Sequence, residues 1–258
     1  MNYLSVENLS KSFGIKPLFQ NITFGLAKGD KVALIANNGT GKSTLLRILS
    51  EKDVQDAGSY TYRQGVRVAY LEQEPDLKED QSIEDFITSA SARILEVIDE
   101  YNSMLDASSS GSDADLKALE DAQAVMDSLE AWEFDRRLES MLTRFGINDK
   151  TQLISTLSGG QKKRLALALA LLDSPDFLIL DEPTNHLDIE MVEWLEDYLT
   201  QSSVTLLMVT HDRYFLDRVC NVILEMNDGT MYRHQGNYSY FLQKRAEREE
   251  TFQVEIDK

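Results

Sequence analysis

The sequence predicts an α/β fold with a mostly parallel sheet, a small antiparallel β layer and a helical region. Three observations carry this. Short apolar, β-branched runs alternate with stretches of helical periodicity, the pattern of strands crossing over through helices. Two stretches near the N-terminus alternate apolar and polar residues, as half-buried antiparallel strands do. From Ile83 to about Phe145 the periodicity is helical throughout.

The elements follow in order. Residues 4–6 and 18–26 read as short alternating strands, and KVALI at 31–35 as a buried strand. That strand leads into a loop that becomes an amphipathic helix. Residues 58–70 alternate again, with a turn at Gln64-Gly65. In the helical part, Ile87, Ile94, Ile98, Tyr101 and Leu105 recur at helical spacing. A Ser/Gly-rich break at 107–113 follows, and Leu116, Leu119, Met126 and Leu129 resume the spacing. Two helices around such a break predict an antiparallel hairpin, placed at 84–135 within a helical region of about 80–172. A helix then starts after Ser158 with an apolar stripe of Leu165, Leu169 and Leu172. A strand at 177–180, a helix around 191–199, a strand at 204–209 and a helix around 214–218 come next. Strands near 222–225 and 230–233 precede a polar, mixed-charge helix over 238–258. No internal repeat is visible, so the chain holds one such unit.

Composition bounds the function. With 258 residues, 42% apolar and 27% charged, a sizeable core is available. Cys220 is the sole cysteine, which excludes an intrachain disulfide and suits a reducing, cytoplasmic setting. No apolar run approaches the ~18 residues that span a bilayer, and the N-terminus has no signal-peptide layout. No membrane insertion is expected; a membrane role would run through a partner. The net charge is −18 and is uneven. Residues 84–135 hold 14 Asp and Glu against 2 Lys and Arg, a net −12. Such a segment repels phosphate backbones, which argues against direct nucleic-acid contact by the hairpin.

The motifs carry chemistry. ANNGTGKS at 36–43 lies between a strand and a helix, where backbone amides and the positive helix end suit phosphates. Asn37, Asn38, Gly39, Thr40, Gly41, Lys42, Ser43 and Thr44 are the contact candidates. Lys42 can reach β and γ oxygens, and the Ser43 hydroxyl can ligate Mg²⁺. The pattern has glycine where this chain has Ala36, a position that shapes the turn more than it donates. FLILDE at 177–182 is a buried strand delivering two carboxylates at its C-terminal end, where parallel sheets bind ligands. Asp181 is placed to hold Mg²⁺ through water and Glu182 to polarise an attacking water. His211, after the next strand, can orient a γ-phosphate. Gln73 follows a strand and can touch Mg²⁺ and the water. Phe13 either stacks on a purine or fills the core. Ser158, Gly159, Gly160 and Gln161 open a helix, with Ser158 as its cap and the glycines leaving amides bare for an anion. The phosphate loop already has a helix end of its own, so this second anion site serves a nucleotide held by a partner.

Phosphate loop, Gln73, LSGGQ at 157–161, FLILDE, NHLD at 185–188 and His211 come in an order that resembles the ATP-binding cassette (ABC) ATPases over nearly the whole chain. The resemblance implies a P-loop NTPase fold: an ABC core with an antiparallel β subdomain and a helical subdomain carrying an inserted hairpin, over 1–237. It implies ATP and Mg²⁺ as ligands, with Glu182, His211 and Lys42 in catalysis and Ser43, Gln73 and Asp181 around the metal. It also implies a head-to-tail sandwich with a second cassette, to which Asp188 would contribute. DEPTNHLD followed by VTHDRYFLD, with the extra hairpin, is similar to the ABC-F group of tandem cassettes that act on ribosomes and translation, and within it to the Uup type. Residues 238–258 resemble the start of the charged linker to a second cassette in the same polypeptide; a homodimer is the other arrangement. The hairpin can equally be a solvated face of the helical region. Two other functions compete: the ATP-binding subunit of a membrane transporter, against which NHLD and the hairpin weigh, and a DNA-associated ABC ATPase.

Overall fold

The computed structural model describes residues 1–108, 112–227 and 230–256. They form two compact units, one of Met1–Pro75 with Ser174–Lys258 and one of Asp76–Asp173.

The first unit opens with β1 (Asn2–Phe13) and β2 (Lys16–Ala27), then β3 (Lys31–Ala36), α1 (Lys42–Leu49), β4 (Ala57–Tyr62) and β5 (Val68–Leu71). β1 pairs antiparallel with β2 and β4 in a three-stranded sheet of order β2-β1-β4. β1 and β2 are longer than the stretches that alternate in sequence. The ladder runs on through register shifts, which break the alternation and hide the strand ends. At one irregularity Asn8 has φ 49. Opposite it, Gly58 has φ 82, and a Cβ there would lie 2.2 Å from the Asn8 carbonyl oxygen. Only glycine lets β4 approach this closely.

The chain then builds the second unit. Its helices are α2 (Ile83–Ala90), α3 (Ala92–Ser108), α4 (Asp113–Ser128), α5 (Phe134–Arg144) and α6 (Gly159–Leu172). Ile87, Ile94, Met126, Leu142, Leu165 and Leu172 meet in its core. α3 packs along α4 as the expected hairpin. The hairpin is shorter than 84–135, because α2 is a separate helix that ends at Ser91. Within the expected break, residues 109–111 lie outside the described residues. Tyr101 meets Trp132 edge-on at 4.8 Å near the hairpin base. Leu105 and Leu116, towards its tip, are each 47% exposed.

The chain returns to the first unit with β6 (Phe177–Asp181), α7 (Ile189–Gln201), β7 (Thr205–Val209), α8 (Arg213–Val219), β8 (Val222–Asn227), β9 (Thr230–Gln235) and α9 (Tyr238–Ile256). The tail helix begins where expected, and Asp257 and Lys258 lie outside the described residues. A six-stranded sheet of order β5-β6-β7-β3-β8-β9 is parallel except for β9, which pairs antiparallel with β8. The turn at Gln64-Gly65 therefore joins strands of two different sheets. β6 and β7 are buried along their whole length, which is why FLILD and TLLMV read as continuous apolar runs. Leu45 and Leu49 of α1 share a core with Leu4 of β1, Ile179 of β6 and Leu224 of β8. Each such leucine stabilises the fold by ~1.5–3 kcal/mol.

Register places the chemistry. Leu71 sits beside Leu180, and Asp181 beside Val209. Arg67 holds the start of β5 in place, its Nε and backbone N–H donating to Asp176 at 3.2 and 3.0 Å. The C-terminal ends of β3, β5, β6 and β7 thus share one edge of the sheet, the edge at which open parallel sheets bind ligands.

Candidate functional site

β3 stops at Ala36 and the chain turns into α1. The cap of α1 is Gly41 at φ 90, no side chain caps the helix, and its first turn holds no acid. A Cβ at 41 would come within 2.9 Å of the Leu18 Cβ, so glycine is required twice over. The first N–H groups of a helix need acceptors. In α2, α4, α6, α7 and α8 a Ser or Asp side chain accepts from that turn. In α1 no side chain does so, and an anion suits such a helix start best. Ala36 fits without strain as the last residue of β3, and its carbonyl accepts a hydrogen bond from Lys42 Nζ at 2.9 Å. Lys42 also donates to the Asn37 carbonyl at 3.2 Å. Burial holds the Lys42 ammonium below the usual lysine range, while Glu182 and Asp181 nearby oppose that shift.

At the end of β6, Asp181 and Glu182 are both buried. Glu182 has φ 51, an unfavourable conformation for a residue with a Cβ. Its N–H donates to the Val209 carbonyl at 2.8 Å, which locks the turn to β7. The carboxylate then lies against His211: Oε2 accepts from the His211 backbone N–H at 3.3 Å, and Oε1 is 3.4 Å from Nε2. The hydroxyls of Thr184 and Thr210 meet at 3.3 Å across the same two turns. Strain of ~1–3 kcal/mol at such a residue persists only where its surroundings over-determine it, as they do here.

Lys42, Asp181, Glu182 and His211 border one cavity of about 630 Å³, within the range of small-molecule sites. From the loop come Asn38, Gly39, Gly41, Lys42, Ser43 and Thr44. Gln73, Asp181, Glu182 and His211 line it from the strand ends, and Phe13 stands at its margin. Phe13 is 82% exposed, so it is not a core aromatic. Lys16, Leu18, Asn185 and Val209 also line the cavity. Of these, Lys16 carried no signal in the sequence, and Asn185 stood there only as the first residue of NHLD.

Other candidates lie elsewhere. Asn37 and Thr40 brace the loop, with the Thr40 hydroxyl donating to the Asn37 carbonyl at 2.8 Å, and neither lines the cavity. Asp188 caps α7, accepting from the Met191 N–H at 2.9 Å. Ser158, Gly159, Gly160 and Gln161 belong to the second unit. There Ser158 caps α6 as expected, but Gln161 reciprocates. The Gln161 N–H donates to Ser158 Oγ at 3.2 Å, and the Ser158 N–H donates to Gln161 Oε1 at 2.9 Å. The Gln161 amide is therefore not bare; Gly159 remains open, with nothing within 4 Å of the position its Cβ would take.

Comparison with known proteins bears on this geometry. The sequence profile of the ABC transporter family matches residues 19–185. A Bacillus subtilis (strain 168) protein described as an uncharacterized ABC transporter ATP-binding protein, YfmR, is 44% identical over 253 residues, 96% of this chain and 40% of that protein. The energy-dependent translational throttle protein EttA of Mycobacterium tuberculosis (strain CDC 1551 / Oshkosh) is 36% identical over 245 residues, 95% of this chain and 44% of that protein. The ATP-binding protein Uup of Escherichia coli (strain K12) is 33% identical over 256 residues, 99% of this chain and 40% of that protein. This chain thus spans less than half the length of these relatives. The structure of an ATP binding subunit of an ABC transporter superposes with a TM-score of 0.72 at 21% identity, covering 99% of this chain and all of that one. Among the described residues no helix is long and apolar enough to cross a membrane. Profile, relatives and fold agree with the uncapped phosphate loop and the paired carboxylates: the chain belongs to the ABC family as an ATP-binding cassette, with Uup and EttA proteins among its relatives.

Proposed function

We propose that this cassette hydrolyses ATP, and that the buried Glu182 carboxylate beside His211, in the same cavity as the phosphate loop, is the observation that carries the reading. The α1 amides and Lys42 would hold the β and γ phosphates, and Phe13 would stack on the adenine. Ser43, Gln73 and Asp181 offer a hydroxyl, an amide oxygen and a carboxylate, the oxygen donors a hard cation prefers. No group of three or more His, Cys, Asp or Glu is placed to hold a metal among the described residues, and Mg²⁺ with one or two protein ligands and phosphate oxygens needs none. Bound there, Mg²⁺ would neutralise charge developing between the β and γ phosphates. Glu182 would orient water on the γ phosphorus and draw off its proton. The water oxygen bonds to phosphorus, the bridging bond to ADP breaks, and inorganic phosphate and a proton result. His211, fixed by Glu182, would donate to the γ-phosphate oxygens. Glu182→Gln in the purified chain tests this: ATP should still bind while turnover collapses, and unchanged turnover would refute the assignment.

Residues 1–237 would form the ATPase domain, and 238–258 would begin a linker. The open Gly159 end of α6 supports a head-to-tail pairing in which this helix faces a nucleotide on another cassette, in the same polypeptide or in a second copy. EttA is named as a translational throttle, and the likeness extends over 95% of this chain, which supports a role at the ribosome. Co-sedimentation of the chain carrying Glu182→Gln with ribosomes in ATP tests that role. Recovery with an integral membrane partner instead would overturn it.

A further inference from the structure

A second cavity, of about 250 Å³, lies on the α8–α9 side of the phosphate loop. It shares Lys42, Val209 and His211 with the nucleotide cavity, so the same ammonium and imidazole border both spaces. Its other polar walls are Thr210, Arg213 and Tyr238. Asp181 and Glu182 line the first cavity but not the second. A dianion in the first space has two carboxylates beside Lys16, Lys42, His211 and the loop; in the second it meets hydroxyls, a lysine, a histidine and an arginine, with no carboxylate in the lining. We propose that this second cavity is a binding site for inorganic phosphate, taking up the cleaved γ-phosphate while ADP still occupies the phosphate loop.

The chemistry of the walls supports this. A guanidinium offers a planar fork of donors that matches two phosphate oxygens. Hydroxyls of Thr210 and Tyr238 can donate to the remaining oxygens. Lys42 and His211, the groups that would grip the γ-phosphate before cleavage, line both cavities and can hold it on either side, while Leu34, Ile35, Ala36, Val209 and Leu216 make up the apolar remainder of the second cavity. Its far wall is also a fixed one. Tyr238 is the first residue of α9, Ser239 N–H donates to Asp217 Oδ1 of α8 at 2.7 Å, and Phe241 is only 1% exposed.

The proposal rests on the ATPase reading of the first cavity, and the test separates the two. The full chain is first titrated with ADP and Mg²⁺, then, once saturated, with inorganic phosphate, followed by calorimetry and by phosphorus NMR line width. The ADP-loaded protein should bind phosphate. Arg213→Glu should weaken that binding at least ~10-fold, because it replaces a charge-assisted donor pair with a repelling carboxylate, while ADP affinity stays within about twofold. Arg213→Lys should recover part of the loss. If the Glu variant also loses ADP affinity, Arg213→Gln replaces it, since Arg213 is exposed on α8 and a neutral amide there does not disturb the fold. Phosphate binding that is absent with ADP bound, or equal in wild type and the Arg213 variants, overturns the proposal. Failure of ADP to bind would instead sink the nucleotide reading, and the same Arg213 series on the unloaded chain would still decide whether the cavity takes phosphate.

Discussion

Glu182 condenses the chemistry into one residue: buried, strained and tied to β7 by its own N–H. Its replacement by Gln keeps the shape but removes the proposed base, so turnover should fall ~10²–10⁴-fold with ATP affinity nearly unchanged, measured by steady-state phosphate release and nucleotide titration. Phe13→Ala removes the proposed stacking platform from an exposed position, and ATP affinity should drop ~2–10-fold without a change in thermal stability. Far from the site, Lys31 is buried at the start of β3, its Nζ donating to the Ser202 carbonyl at 2.9 Å. Burial brings its pKa down to about 8, and burial pushes the neighbouring Cys220 thiol up. Their effects on stability have opposite signs. Between pH 8 and about 10.4 the unfolded Lys31 holds a proton that the folded one has lost, so its contribution to stability rises with pH. Above about pH 8.5 the unfolded Cys220 loses a proton that the folded one keeps, so its contribution falls. Cys220→Ala should therefore show stability rising more steeply from pH 8 to 10 than wild type, and Lys31→Met less steeply, by denaturant titration. The catalytic candidates were legible because residue type and spacing already encode donors and acceptors. The Glu182 conformation, the Lys16 and Asn185 walls and the Lys31–Cys220 pair were not, because each depends on what the other strands bring alongside.

Caps and registers decide how well the elements hold. Asp188→Ala removes the side-chain acceptor from the first turn of α7, which should cost ~0.5–2 kcal/mol. Asp188 also has an inferred role between cassettes, and the two separate cleanly. Loss of the cap lowers the melting temperature of the dilute chain; loss of a contact changes the concentration dependence of hydrolysis. Gly58→Ala forces a Cβ to within 2.2 Å of the Asn8 carbonyl at φ 82. The three-stranded sheet should lose at least ~1–3 kcal/mol, visible as a drop in the denaturation midpoint. Buried parallel strands were easy to read, since FLILD and TLLMV are apolar on both faces. β1 and β2 were underestimated because bulges interrupt a period of two. The helical hairpin was overextended because the sequence around Ser91 keeps its apolar spacing although the backbone breaks there.

At the scale of the whole molecule, Lys42, Asp181 and Glu182 sit in one unit and Ser158–Gln161 in the other. If the active site is shared between cassettes, turnover per molecule should be slow in dilute solution and rise with protein concentration. Constant specific activity down to high dilution would refute a shared site. The uncapped start of α1 has a consequence of a different kind. A nucleotide that satisfies those amides completes a helix, and so binds the folded chain and not the unfolded one. By mass action, a ligand at a hundred times its Kd adds ~2.7 kcal/mol to folding stability. The lifetime of this cassette against proteolysis would then lengthen with the concentration of nucleotide around it, ATP or ADP alike.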